Sequence, residues 1–435
     1  MTLDLRQYYH SVFPQLEKGF QFCHYVLGYG NNLIDYGWDP KGLLVTVEPV
    51  ENLFELTVNK ELEVFIPVVG HDSNSVLLPF DFEVAIASPW RLYSSMEGQQ
   101  WFFQNNIAPV AHYLSIELES RQIPHVLDFT PSGGHFLTRV VRGTAAWEEV
   151  AAIGYLDDIA LAGYDIEDPS DLKRCPRIKQ DAAYVFSGLG FLSEYLALRT
   201  LQTVSGHTDL PMTLWDTKPD CMNIDLSWTG DPAYMRIMRA PFSAHKKRNE
   251  RFGIGNHSLV DVMGRYYDGV DKIEAADLDD VVECMWDLQK ANRHAKRFPG
   301  YIPFANEGMC ALVADYLNSP LKEFHDYCHF GEDNLAPGEA LHRIFNDSRL
   351  SEQLLDVFHH PNPRLLNPGI SSSIIAELRL NDWHPRHITN AFTDCYRNGD
   401  YWGMDYFKYS PELKAWAFSR QYSALTHAYF DGWRT

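Results

Sequence analysis

The sequence predicts an α/β (α+β) protein with a mixed-sheet core followed by a mostly α-helical C-terminal domain. Three observations carry that expectation. From about Leu43 to Ala240, short runs rich in Val, Ile, Leu and Phe alternate with stretches of helical period. Beyond residue 268 the strand pattern fades and amphipathic helical patterning replaces it. At 435 residues and 45% hydrophobic, the chain is long and apolar enough for two cores. The expected division is therefore residues 1–268 and residues 269–435.

Residues 1–40 read as helix and then irregular loop around Gly28 to Asn32. Three strands are expected next, in LLVTVEPV, LFELTV and LEVFIPVV, with turn residues between them. HDSNS at 71–75 reads as a loop, and VLLPFDFEVAIA as a buried strand whose irregular entry is marked by Pro79. Gln99 to Arg121 has helical periodicity, and HVLDF is a short strand. Asp128 to Arg139 then reads as strand, tight turn and strand, the turn carrying Ser132, Gly133, Gly134 and His135. Helices are expected over Ala145–Leu161 and about Asp181–Val204, followed by strands in PDCMNIDLSW and YMRIMRA. IEAADLDDVVECMWDLQKA is an amphipathic acidic helix, and the remainder is helical with loops at PGYIPF, LAPGEA and PNPRLLNPG.

Charge narrows the function. With 37 basic and 58 acidic residues the net charge is −21, which argues against polyanion binding over the whole surface. A nucleic-acid protein of this balance must gather its cations locally. One stretch does so: Arg236, Arg239, Lys246, Lys247, Arg248 and Arg251 stand against only Glu250. No apolar run is long enough to span a bilayer, and the N-terminus lacks the basic start and apolar stretch of a signal peptide, so no membrane partner and a cytoplasmic location are expected. The seven cysteines are widely spread with no CxxC pair, which points to reduced thiols.

The chemistry-bearing residues come in order. Asp81 and Glu83 are two apart on an expected strand, so both project from one face. Oxygen ligands converging in this way suit Mg²⁺ or Mn²⁺. Taken alone, such a pair is more often the solvated face of an edge strand, but its flanks LLPF and VAIA are apolar. In the next motif, glycines let backbone approach a ligand, while Ser132, His135 and Arg139 add donors suited to phosphate. Asp225, apolar-flanked in MNIDLSW, supplies a third carboxylate, and RIMRAPFSAHKK follows it.

A carboxylate pair, a Ser/Gly/His motif, a third carboxylate and then a basic segment: this order resembles the archaeo-eukaryotic primase superfamily, the primase-polymerases. The resemblance spans roughly residues 75–250, and the spacing from Ser132 to His135 is shorter than in many members. It implies a metal-dependent nucleotidyltransferase acting on nucleoside triphosphates along a single-stranded DNA template. Asp81, Glu83 and Asp225 would hold two Mg²⁺ or Mn²⁺ ions. Ser132, His135, Arg239, Ser243 and Lys246 would bind the triphosphate, and Arg139, Lys247 and Arg248 the template. Partners would include a helicase or another replication or defence protein.

Two rivals stand beside this reading. One is a nucleotide-signalling transferase, whose usual Gly-Ser helix start before the carboxylates is missing. The other is a non-catalytic primase fold that only binds nucleic acid or protein. In the C-terminal region Cys284, Cys310, Cys328 and Cys395 would suffice in number for zinc or an iron–sulfur cluster, with His325 and His329 beside Cys328. Their flanks do not match such a site, so dispersed buried thiols are the expectation. Aromatic density from Tyr396 to Trp433 suits base stacking, or, more commonly, helix packing.

Overall fold

The computed structural model describes residues 3–19, 25–26, 45–46, 54–59, 61–70, 73–85, 95–156, 161, 164, 178–214, 220–226, 233, 236–245, 259–274, 278–330, 335–359 and 368–398. The strands are β1 (Tyr25–Val26), β2 (Val45–Thr46), β3 (Phe65–Pro67), β4 (Ser75–Ala85), β5 (His125–Thr130), β6 (Gly133–Val141), β7 (Met212–Thr213), β8 (Cys221–Ile224), β9 (Ile237–Arg239), β10 (Val262–Tyr267) and β11 (Lys272–Glu274). The helices of the first half are α1 (Leu5–Gly19), α2 (Met96–Phe102), α3 (Ala108–Ser120), α4 (Ala145–Ile153) and α5 (Gln180–Val204). Those of the second half are α6 (Leu278–Trp286), α7 (Leu288–Ala295), α8 (Glu307–Leu317), α9 (Pro320–Phe330), α10 (Pro337–Phe345), α11 (Glu352–His359), α12 (Pro368–Leu380) and α13 (Pro385–Asn398).

The protein is mixed α/β. Among the described residues seven strands form one sheet in the order β11-β10-β5-β6-β4-β8-β7, antiparallel except for β7 and β8. β3 and β9 make a small second sheet, pairing Phe65 with Arg239. Every residue of β5 is buried, including His125, Asp128 and Thr130. Helix α5 packs against β4, and α6 against β10.

Several local expectations changed, each for a physical reason. Pro79 lies inside β4, not at its entry. The Leu77 N–H points away from β6 and bonds the Val68 carbonyl at 2.7 Å, and Pro79, two residues on, has the same orientation. β8 pairs only with Phe82–Ala85, so a missing N–H at position 79 breaks no ladder bond to it. LFELTV, expected as a strand, ends in a π-type turn over Glu55–Asn59. A second π-type turn, Phe103–Ile107, joins α2 to α3 just before Pro109, where a wider turn accommodates a ring that cannot donate an N–H. The acidic helix after residue 268 is two helices. Asp287 ends the first and caps the second, its carboxylate accepting from the Gln289 and Lys290 N–H groups at 2.7 and 3.3 Å.

The sheet runs past residue 268. Tyr267 of β10 pairs with Lys272 of β11. Helices of the second half share one apolar core with the sheet, through residues such as Met285, Ala291 and Met309. No described helix is long and apolar enough to cross a membrane.

Candidate metal and nucleotide site

A two-residue hairpin turn, Pro131–Ser132, organises the site. It pairs Asp128 of β5 with His135 of β6. On the other side of β6, β4 pairs Asp81 with His135 and Glu83 with Gly133. One strand further, the Asp225 N–H donates to the Asp81 carbonyl at 2.9 Å. Directly paired residues of neighbouring strands share a face, so Asp225, Asp81, His135 and Asp128 form one row across the sheet. Glu83 lies on the same face with Asn223 opposite it. On the reverse face Phe80, Phe82 and Val84 are buried in the core.

His135 and both glycines therefore belong to a strand, where a ligand-cradling turn was expected. Gly133 has a different reason to be glycine. A Cβ there would sit 2.0 Å from the Phe82 carbonyl oxygen, and one at Gly134 would sit 2.9 Å from the Asp128 carbonyl oxygen. Only glycine lets β4, β5 and β6 close on one another at this point. Ser132 is buried in the turn, its carbonyl accepting the Val84 N–H at 2.9 Å.

The row is open at one end and closed at the other. Asp81, Glu83 and Asp225 are partly exposed, whereas Asp128 is wholly buried. His135 joins the two ends: its Nδ1 lies 3.0 Å from Asp128 Oδ1 and its Nε2 lies 3.7 Å from Asp81 Oδ1. Burial alone would favour a neutral imidazole, but the charges of Asp128 and Asp81 and the Asp128 hydrogen bond raise its pKa to about 10. Asp81 is pushed upward too. Loss of solvent is the first cause, opposed by His135 and reinforced by Glu83, Asp225 and Asp128. Those neighbours place all three carboxylates in one electrostatic field.

Beyond Asp128 lies Asp261, at the entry to β10, fully buried and raised well above the usual carboxylate range by burial, opposed by Arg239. Arg239 is nearly buried. Its guanidinium reaches Glu63 at 3.2 Å and Asp261 at 4.0 Å, and lies over the Phe65 ring at 5.0 Å. Ser243 is fully buried: its hydroxyl accepts the Val64 N–H at 2.8 Å and lies 3.1 Å from the Ala244 carbonyl. Both residues brace the segment after β9, which turns at Pro241–Phe242 with Phe242 in the left-handed region (φ 71). Arg139 holds another segment, its Nε donating to the Ile302 carbonyl at 2.9 Å. Lys246, Lys247 and Arg248 lie outside the described residues, as does the aromatic stretch beyond residue 398.

Asp81, Glu83 and Asp225 thus share a face, and beside them stands the trio Asp128, His135 and Asp261. In that trio one ligand atom from each residue lies within 4.8 Å of the others, and it is the cluster of this kind among the described residues. Cβ atoms directly across or diagonal on a sheet face are about 5–8 Å apart, so side-chain rotation brings such carboxylates onto a shared ion. The donor set fits a hard divalent cation: the open end offers only carboxylate oxygens, and Asn223 adds a fully buried amide with neither polar atom hydrogen-bonded.

The sequence reading missed Asp128 and Asp261. Both stand in apolar runs, HVLDF and SLVDVMG, the same pattern that singled out Asp225. The hairpin turn then fixes Asp128 opposite His135. Among the cysteines, Cys284 of α6, Cys310 of α8 and Cys395 of α13 are free, and burial pushes the Cys284 and Cys310 thiols up to about 12 and 11. The Cys328 side chain lies outside those described. Comparison with protein-family models, characterised proteins and solved structures returns no match.

Proposed function

We propose that this chain is a metal-dependent nucleotidyltransferase of primase-polymerase type, extending a nucleic-acid chain from nucleoside triphosphates. One observation carries the reading: Asp81, Glu83, His135 and Asp225, picked from three motifs, fall on one partly open face of adjacent strands. Alternation along β4 accounts for Asp81 with Glu83; His135 and Asp225 reach the same face only through the pairing of their strands with β4.

Divalent ions bound there would activate the attacking 3′-hydroxyl and neutralise charge on the departing pyrophosphate. Asp81, Glu83 and Asp225 would hold them from the sheet face. His135, kept cationic by Asp128, offers its Nε2–H side to the triphosphate and balances charge beside Asp81. Asp128 orients that imidazole from behind. Asn223 orients a ligand or an ion-bound carboxylate beside Glu83. Ser132 fixes the hairpin, while Arg239 and Ser243 brace the Asp261 side of the site. The basic run at Lys246, Lys247 and Arg248 is retained as the candidate contact for triphosphate and template.

Calorimetric titration with a non-hydrolysable nucleoside triphosphate tests this reading. Binding should require Mn²⁺ or Mg²⁺, vanish in EDTA and weaken at least about tenfold in His135→Ala, as loss of a charged hydrogen bond implies. Metal-independent affinity, or unchanged affinity in that variant, would remove the reading.

A further inference from the structure

The closed end of the row holds carboxylate oxygens to which the proposed nucleotide site gives no partner. Asp128 and Asp261 are both 0% exposed. Asp128 Oδ2 and both carboxylate oxygens of Asp261 have no hydrogen-bond partner. Asp128 Oδ1 is taken by His135 Nδ1 at 3.0 Å, and the Arg239 Nε stands 4.0 Å from Asp261 Oδ2. Glu63, also fully buried, engages the other side of Arg239 at 3.2 Å. Asp128 is thus paired with an imidazole that also faces Asp81, and Asp261 only with the edge of a guanidinium that also serves Glu63. A buried carboxylate oxygen without a donor is strongly disfavoured.

The geometry points to a second, buried cation site, in which Asp128, His135 and Asp261 ligate one first-row divalent ion, Mn²⁺ or Zn²⁺. The donors supply two carboxylate oxygens and one imidazole nitrogen. That mixture suits Mn²⁺ and Zn²⁺ better than Mg²⁺, which prefers oxygens alone, or soft ions that need thiolates. Their ligand atoms already lie within 4.8 Å of one another. Bonds of about 2.1 Å put tetrahedral ligands roughly 3.4 Å apart, so a small inward movement completes the site. The backbone holds Asp261 in place: its N–H donates to the Ser243 carbonyl at 2.6 Å, and its carbonyl accepts the Phe242 N–H at 3.0 Å. An ion there would take His135 Nδ1 from Asp128 and stand in for its proton, so the positive charge behind Nε2–H, which stays directed toward Asp81, would come from the ion. This site stands apart from the Asp81, Glu83 and Asp225 ions, so either can exist without the other.

Metal counting on the full chain tests it. Protein stripped with EDTA is dialysed against Mn²⁺ or against Zn²⁺, and bound metal is measured by elemental analysis. The double variant Asp81→Asn/Asp225→Asn should keep one ion per chain, and Asp261→Asn should hold one fewer than wild type with an unchanged circular dichroism spectrum. If Asp261→Asn fails to fold, the double variant alone decides. No ion in the double variant, or equal stoichiometry in wild type and folded Asp261→Asn, would overturn the buried site. Failure of the nucleotide reading looks different, because Asp81→Asn/Asp225→Asn would then bind as many ions as wild type.

Discussion

Two buried histidines ten residues apart show what the sheet does to charge. His125 begins β5, and its Nδ1 lies 2.9 Å from the Ile123 carbonyl. It packs between the rings of Phe136 and Tyr267. Burial dominates there and drives its pKa down to about 4, with Arg265 and Lys272 adding to the shift against Glu119 and the Ile123 carbonyl. His135, on the neighbouring strand, is also buried, yet Asp128 and Asp81 override desolvation and raise it to about 10. Depth in the fold is therefore a poor guide to histidine charge; the neighbouring carboxylates decide it. Where the sheet gathers aspartates on both sides of one imidazole it concentrates charge, whereas the His125 end is core.

The largest effect expected is on the charged histidine. His135→Gln removes the cation that Asp81 and Asp128 share, and breaking a buried pair in this way costs about 3–5 kcal/mol. His125→Gln loses packing and one hydrogen bond to the Ile123 carbonyl, for about 1–2 kcal/mol. Urea unfolding of both variants at neutral pH measures the difference, and equal losses would erase the contrast.

Next comes the glycine that brings the strands together. Gly133→Ala puts a Cβ 2.0 Å from backbone oxygen, where nothing flexible can yield, and should cost about 3 kcal/mol. Chemical denaturation reads it, together with loss of metal binding as β4 moves away from β6.

Stability against pH should separate the two histidines by sign. In EDTA, the His135 contribution is complete below its ordinary pKa of 6.5 and is lost as pH rises through about 10. The raised Asp81 carboxyl acts in the same direction, because its ionisation is disfavoured in the folded state. His125 does the reverse: its contribution is complete above 6.5 and is lost as pH falls toward 4. Melting temperatures across this range should show the alkaline limb flattened in His135→Gln and the acid limb flattened in His125→Gln.

The smallest effect belongs to a residue first assigned to template. Arg139→Met gives up the bond to the Ile302 carbonyl and the approach to the Phe304 ring at 6.0 Å, costing about 1 kcal/mol at the melting midpoint. A loss of single-strand affinity without that thermal change would return Arg139 to the template path.

These contrasts also mark what the sequence could disclose. Alternation put Asp81 and Glu83 on one face, and the Ser/Gly/Gly/His stretch between apolar runs announced a strand-turn-strand unit, though the turn itself is Pro131–Ser132. Asp128 and Asp261 escaped because a buried aspartate looks like any polar interruption of an apolar strand until the register is known. His135 was assigned to a turn because two glycines usually signal one; here they signal strands too close for a Cβ. The Glu55–Asn59 turn was read as strand because alternation cannot reveal an unfavourable helical turn held by tertiary contacts.

The central claim is that the open carboxylates perform nucleotidyl transfer. The most direct measurement follows label from an α-phosphate-labelled nucleoside triphosphate into a primer annealed to a single-stranded template, with Mn²⁺, for wild type and Asp225→Asn. Circular dichroism and melting temperature establish that the variant is folded. The prediction is incorporation by wild type, abolished by EDTA, and a loss of at least about a hundredfold in Asp225→Asn. Equal incorporation by both proteins, or none by a wild type that binds Mn²⁺ and triphosphate, would contradict it.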